Sequence, residues 1–277
     1  MSTFQIATNV GALKAYNALA KLNAQTEKAQ LRLATQKRIN SVADDTSGFN
    51  VGKALEAKVS LMKSAQKNVG SAKDMLATAE SQLISIRDMV TQIKAKIADS
   101  GNSTTDLNAL QLDIKALAEE IKNGIDNTKF NDTGLLTTTA ASGFSFQTGV
   151  STSETLDVKY AENISSNFGT SKAEIDLLSS ASTRTSFTNL STNLDTFENT
   201  VTASLGKVGN FIQRLDAKDD FLTVAIANSE ASVSRLFDAD MAMEQLNATK
   251  SSIGSQAATA MLAQMNAAPQ NILQLFR

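Results

Sequence analysis

The chain has 277 residues, 26 basic and 28 acidic, for a formal charge of −2, and it contains no Cys, His or Trp. Disulfides, thiolate or imidazole metal centres, and His- or Cys-centred catalysis are therefore excluded. Proline occurs once, at Pro269, where average usage would give roughly 14 copies; with aromatics at 5%, this composition suits long helices rather than sandwiches, barrels or compact α/β enzymes.

A first helix is expected from about Asn9 to Leu33, with Val10, Leu13, Leu19, Leu22, Leu31 and Leu33 apolar and Thr8 or Asn9 as its cap. A polar turn follows. Ser41 caps it, Asp44 stands at the N3 position, and Arg38 is near enough to pair with that carboxylate. Next comes the clearest periodicity: Leu55, Val59, Met62, Gln66, Val69, Ala72, Leu76, Ala79, Leu83, Ile86, Val90, Ile93 and Ile97. The steps alternate 4 and 3, with one extra 3 between Gln66 and Ala72, which is a heptad seam with a single stammer. Such a helix of ~50 residues would run ~75 Å. Gly48 and Gly52 precede it, and Asp99-Ser100-Gly101 ends it with Gly101 placed for a C-terminal cap.

Ser103 to Asp106 has capping-box spacing ahead of a further helix marked by Leu107, Leu110, Ile114, Leu117 and Ile121. The short connection implies that it folds back antiparallel. From Asn127 to about Ser182 the chain turns to Gly, Thr, Ser and Asn. Phe144, Phe146, Thr148 and Val150 alternate, as do Leu156, Val158 and Tyr160, which reads as a β-hairpin with a four- or five-residue loop.

A second long helix begins near Ser186 and carries Leu190, Leu194, Phe197, Val201, Leu205, Val208, Ile212 and Leu215, continued by Leu222, Ile226 and Val233. The last segment is the strictest. Leu236, Ala239, Met243, Leu246, Lys250, Ile253, Ala257, Ala260 and Gln264 alternate 3 and 4 without error, and Pro269 is expected to end the helix before it. The fold class is thus mainly α: a long antiparallel helical bundle or coiled coil with a small β-hairpin region. Both terminal segments have seams too narrow and Ala-rich to form a core alone, and an isolated helix of ~25 residues is marginal in water. They are expected to pair with each other and then with neighbouring molecules.

Residues 1–73 hold 11 basic and 4 acidic side chains, a net of +7 that leaves −9 for the remainder. The basic residues are spread among Ala, Leu and Gln, without the aromatic platform that nucleic-acid binding uses, so they read as a basic helix lying beside acidic partners. Asp44-Asp45 reads as part of the polar turn rather than as an acid/base pair. Asp219-Asp220 and Asp238-Ala239-Asp240 read as solvated helix faces. Asp126 to Gly134 lacks the spacing of a calcium loop, and no phosphate-binding glycine motif occurs. Met241, Met243, Met261 and Met265 read as helix-seam packing. No cofactor and no catalytic constellation is expected.

Three stretches have a family likeness. Arg38-Ile39-Asn40-Ser41-Val42-Ala43-Asp44-Asp45-Thr46-Ser47-Gly48 resembles the turn between the first two helices of bacterial flagellin. Ser234 to Asp240 resembles the start of its last helix, and Gln256 to Arg277 resembles its C-terminus nearly throughout. Phe130-Asn131 and Gln147-Thr148-Gly149 also match, and the likeness covers about residues 1–136 and 185–277. The resemblance implies an innermost coiled-coil layer, D0, formed by residues 1–40 and 236–277, and a helical-bundle layer, D1, over 41–235 with the hairpin region at about 130–183. No sizeable outer domain is implied. Filament and D0 packing would fall to Val10, Leu13, Leu19, Leu22, Leu236, Met243, Leu246, Ile253, Ala257, Ala260, Leu273, Leu275 and Phe276, and the D0–D1 turn to Arg38, Asn40, Asp44, Asp45 and Gly48.

Two departures from the family pattern stand out. Gln36-Lys37 replaces the usual Gly-Leu before Arg-Ile-Asn. The family's innate-receptor pattern, Arg-x-Arg-Glu-Leu, appears here as Ser85-Ile86-Arg87-Asp88-Met89, with Asp113 where a Glu is usual. The patch Ser85, Arg87, Met89 and Asp113 is thus an altered one.

The function implied is a structural subunit of the flagellar filament that self-assembles into a helical tube serving as propeller. Its partners would be copies of itself together with an export chaperone, a filament cap and hook-junction proteins. Nucleic acid and membrane insertion are not expected. The location would be extracellular, reached without a cleaved signal peptide, since Met1-Ser2-Thr3-Phe4-Gln5 has no basic n-region and no apolar run follows. A hook–filament junction protein shares the end helices and is the nearest alternative. A secreted membrane-active translocator is an alternative of another class.

Overall fold

The computed structural model describes residues 9–102, 104–137, 143–161, 164–179 and 184–275. In chain order its elements are α1 (Val10–Thr35), α2 (Thr46–Asp99), α3 (Leu107–Asn127), β1 (Lys129–Phe130), β2 (Thr133–Gly134), β3 (Phe144–Gln147), β4 (Thr155–Val158), α4 (Ile164–Leu177), α5 (Arg184–Phe237) and α6 (Met241–Leu275). Helices dominate, and β1–β2 and β3–β4 form two small antiparallel sheets. The mainly α fold with paired terminal helices is therefore as expected. The chain divides into two compact units, Met1–Val59 with Ala227–Arg277, and Ser60–Ile226.

In the unit of residues 60–226, the 4-3 stripe of α2 forms one side of the core. Val69, Ala72, Leu76, Ala79, Leu83, Ile86, Val90, Ile93 and Ile97 are buried, as are Leu110, Ile114, Ala118, Ile121 and Ile125 of α3 and Phe187, Leu190, Leu194, Phe197, Val201, Val208 and Leu215 of α5. At the irregular point of the seam the structure departs from the expected phase. Ala65 is buried, while Gln66 lies at the flank and donates from Nε2 to Asp219 Oδ1 at 2.9 Å and Thr223 Oγ1 at 3.0 Å. An amide in the core would need all its hydrogen bonds met there, so a small apolar neighbour takes the position. Ser204 likewise replaces the expected Leu205 in the buried row.

Lysines of α2 link to acids of α5 in descending order: Lys73 Nζ to Asp216 at 2.6 Å, and Lys94 Nζ to Asp195 at 2.7 Å and Glu198 at 2.6 Å. The order makes the two helices antiparallel. Asp219, turned toward α2, is not the solvated face expected of it. The paired carboxylates raise the pKa of Lys94. Partly exposed pairs of this kind stabilise little individually, but their spacing is compatible with only one register.

Two helix ends differ from expectation. Gly101 does not take the left-handed conformation. Instead α2 closes in tight turns, with Gly101 N–H donating to Ala98 O at 3.0 Å and Asn102 N–H to Asp99 O at 3.1 Å. Asp106 is itself the N-cap of α3, its carboxylate accepting from Asn108 and Ala109 N–H; Ser103 lies outside the described residues. The β3–β4 hairpin pairs Phe144 with Val158 and Phe146 with Leu156, and Thr148 N–H donates to Glu154 O at 3.0 Å, leaving the five-residue loop 149–153.

The elements not anticipated are the short β1–β2 pair, Lys129 with Gly134 and Phe130 with Thr133, and α4. Its Ser, Asn, Gly and Thr content resembles a loop, yet Ile164, Phe168, Ser171 and Ile175 are buried at helical spacing, and Phe168 packs on Phe197 with ring centroids 5.1 Å apart.

Candidate assembly interface

In the unit formed by Met1–Val59 and Ala227–Arg277, α1 and α6 run antiparallel. Ser255 Oγ donates to Asn23 Oδ1 at 2.8 Å, and Arg32 Nη1 donates to Glu244 Oε1 at 2.9 Å. Asn9 caps α1 by accepting from Ala12 N–H, and its Nδ2 donates to Met265 O at 2.9 Å. Pro269 does not end the final helix, which runs on to Leu275. A proline has no N–H for the carbonyl four residues earlier. Here that carbonyl belongs to Met265, and Asn9 satisfies it from the opposite chain end.

The faces of α6 are unequal. Toward α1 it presents Glu244, Ala248, Ser251, Ser255 and Ala258, all buried or half-buried. These are small or polar, which lets two backbones come close but buries little apolar surface. The strict 3-4 stripe points elsewhere. Met243 is 56% exposed, Leu246 63% and Ile253 62%, and Lys250, Ala257, Ala260 and Gln264 are exposed with them. Among the four methionines read as seam packing, Met241, Met243 and Met261 are thus exposed, and only Met265 is half-buried.

On α1, Leu19 and Leu22 are half-buried, while Val10 and Leu13 are exposed together with Tyr16 and Leu31. Leu236 is half-buried at the end of α5. The side chains of Leu273 and Leu275, and all of Phe276, lie outside the described residues. Periodicity located the exposed stripe but did not show that it faces away from α1. Nor did it single out Tyr16, whose place one turn from Leu13 was the available signal.

Behind the paired helices lies the turn. Asp44 Oδ2 accepts from the N–H groups of Asn40 and Ser41, each at 3.1 Å, and Lys28 Nζ stands 2.6 Å from Oδ1. The lysine contact and these amides lower the Asp44 pKa to about 2. Contrary to the expectation from sequence, Arg38 does not pair with Asp44. Its guanidinium donates to Leu236 O at 3.1 Å, its N–H donates to Phe237 O at 2.6 Å, and Ala239 N–H donates to Gln36 O at 3.0 Å. Asn40 Nδ2 donates to Lys37 O at 3.0 Å.

Asp45 caps α2, its Oδ1 accepting from Gly48 N–H at 2.9 Å. A Cβ at Gly48 would stand 2.4 Å from the other oxygen of that carboxylate. Gly48 and Gly52 accordingly lie inside α2 rather than before it. Asp238 and Asp240 are exposed as expected, but they stand in the link between α5 and α6 rather than on a helix face: Asp240 caps α6, accepting from Ala242 N–H at 3.0 Å and Met243 N–H at 3.1 Å.

In the other unit, Ser85 and Arg87 are exposed on α2, Met89 is half-buried, and Asp113 is exposed on α3, where it holds Lys96 at 2.6 Å.

Long helices, a capped polar turn and paired chain ends define a mainly α protein built on antiparallel helix pairing. Residues 6–141 match the bacterial flagellin N-terminal helical region, and residues 191–276 match the bacterial flagellin C-terminal helical region. The chain is 28% identical to the flagellin of Bacillus subtilis over 299 residues, covering 97% of this chain and 98% of that protein. It is 30% identical to the flagellin of Halalkalibacterium halodurans over 275 residues, again covering 97% and 98%. A solved structure from Vibrio parahaemolyticus, assigned provisionally to the flagellar hook-associated proteins, superposes with a TM-score of 0.56 at 14% identity, over 70% of this chain and 100% of that one; this is a likeness of fold alone. The chain belongs to the bacterial flagellin family, whose members are structural subunits of the flagellar filament.

Proposed function

We propose that this filament subunit polymerises by covering the outward apolar stripe of α6, Met243, Leu246 and Ile253, together with Val10, Leu13 and Tyr16 of α1, against sister molecules. The observation that carries the reading is the exposure of the stripe in the single chain, while the side of α6 facing α1 is small and polar. Covering a Leu, Ile or Met side chain contributes about 1.5–3 kcal/mol, so a few per subunit offset the cost of ordering two chain ends. Contacts between different surfaces that do not close give an open helical polymer, and such a tube turned at its base works as a propeller. That role needs stiffness, not catalysis.

On this reading D0 comprises residues 1–40 and 236–277, D1 comprises 41–235, and the turn of Arg38, Asn40, Asp44, Asp45 and Gly48 joins them. Leu273, Leu275 and Phe276 complete the packing strip. An export chaperone, a filament cap and hook-junction proteins follow as partners from family likeness, as does export without a cleaved signal. The substituted patch Ser85, Arg87, Met89 and Asp113 would weaken recognition by the vertebrate flagellin receptor. Deletion of residues 258–277 tests the reading: the truncated chain should remain soluble and helical yet form no filaments under electron microscopy. Filaments of normal width from that chain would refute it.

A further inference from the structure

Met243 and Met261 stand 18 residues apart on α6, which is five whole turns at 3.6 residues per turn, so they share one side of the helix about 27 Å apart. They are 56% and 54% exposed on the side of α6 that carries Leu246 and Ile253, whereas Met62 and Met75 in the other unit are 3% and 2% exposed. Met265 is half-buried beneath α1, its sulfur lying near the position a Cβ would take at Gly11. Met241, also exposed, starts α6 and by helical phase lies off the stripe. The chain has no Cys to react first.

We propose that Met243 and Met261 are oxidation sites of the free subunit, and that their sulfoxides block its addition to a filament. This rests on the reading of the α6 stripe as the surface covered in assembly. The thioether sulfur attacks a peroxide oxygen; an S–O bond forms as the O–O bond breaks, and the departing hydroxide takes up a proton to leave as water. Sulfur loses two electrons and the peroxide gains them. The product carries a strongly polar S–O group on a side chain that was apolar and adaptable. In the free subunit water solvates that group, so its cost is felt only on assembly. In a polymer the same group would be enclosed among apolar side chains without a hydrogen-bond donor, and that is unfavourable. Burial shields Met62 and Met75; Met241 is open to peroxide as well, but off the stripe its sulfoxide stays outside the covered surface, whereas the two stripe methionines become shielded once a sister molecule covers them. The vulnerable interval is thus between release of the subunit and its incorporation, and a methionine sulfoxide reductase acting with a thiol would reverse the block.

The test treats the purified full chain with hydrogen peroxide, maps sulfoxides by peptide mass spectrometry, and measures seeded elongation. The expected result is early sulfoxide at Met243 and Met261, unchanged helicity, and a critical concentration raised at least tenfold. Reductase treatment should restore assembly, a Met243→Leu/Met261→Leu chain should assemble within twofold of normal after the same peroxide exposure, and preformed filaments should be oxidised at these positions far more slowly. Normal elongation by chains carrying both sulfoxides would overturn the proposal, as would equal loss of assembly in the double-leucine chain or failure of the reductase to restore it. Unoxidised Leu246→Asp separates the two levels. If it elongates normally, the stripe is not the assembly surface and both ideas fall. If it is blocked while oxidised wild type elongates, only the oxidation proposal falls.

Discussion

The side-chain amide of Asn9 donates to the carbonyl of Met265 at 2.9 Å, tying residues 256 positions apart, and the same side chain caps α1 through Ala12 N–H. Met265 O is the acceptor that Pro269 cannot serve. Asn9→Asp separates the two tasks, because a carboxylate still caps but has no N–H to donate. It should leave α1 intact and raise amide exchange in the last turns of α6. Asn9→Ala should lose both contacts and about 1–2 kcal/mol. Equal exchange in the wild type and the aspartate variant would show that the tie contributes nothing.

Gln36 ends α1 in the left-handed conformation, at φ 59°, a region where glycine meets no steric cost. Gln36→Gly should stabilise the chain by about 0.5–1 kcal/mol, read as a higher urea midpoint. A lower midpoint would mean that the glutamine side chain makes a contact worth more than the backbone relief.

Phe237 lies against the backbone of Gly52, where an added Cβ would come within 2.1 Å of the ring. Phe49 meets the same ring edge-on at 6.1 Å. An alanine would ordinarily improve a helix by about 1 kcal/mol over glycine, but here the ring must move out of a packed site. Gly52→Ala should therefore destabilise by about 1–3 kcal/mol, and thermal unfolding would show a lower midpoint. Gly70, exposed on the same helix with open space around its Cβ position, supplies the control, since Gly70→Ala should raise the midpoint.

The Asp44 carboxyl titrates at about 2 in place of its ordinary 3.8. A depressed folded-state value contributes stability that is fully present above the unfolded value and is lost as pH falls through the folded one. Allowing for solvent screening at the half-exposed Lys28, the contribution is about 1–2 kcal/mol, lost between about pH 4 and pH 2. Asp44→Asn should remove it at neutral pH and flatten the stability profile across that window, as followed by urea unfolding at a series of pH values.

Both long helices are legible in the sequence because a 4-3 spacing sustained over many turns has few other solutions, and the β3–β4 hairpin is legible because both strands alternate. Two things are hidden. α4 is mostly Ser, Asn, Gly, Thr and charged residues, and its short 4-3-4 row of Ile164, Phe168, Ser171 and Ile175 is interrupted by a serine, so it is easily passed over as loop. The orientation of the α6 stripe is hidden for a different reason: periodicity gives the angular position of apolar residues on a helix but not which neighbour occupies that side. Small residues such as Ala248, Ser251 and Ala258 leave a weak hydropathy signal, yet they are what α1 packs against. The turn shows the same limit. Its polar residues announce a turn, while the choice of Lys28 over Arg38 as the partner of Asp44 depends on chain geometry.

The central proposition is that the Leu246–Ile253 side of α6 is open in the free subunit and covered in the filament. Because the chain contains no cysteine, a single Ile253→Cys substitution gives a clean reporter. The measurement is the rate of thiol alkylation in dilute monomer and in assembled filaments at equal pH. The expected result is ready labelling of the monomer and at least a hundredfold slower labelling in the polymer, with the difference lost on depolymerisation. Equal labelling rates in monomer and filament would contradict the proposition outright.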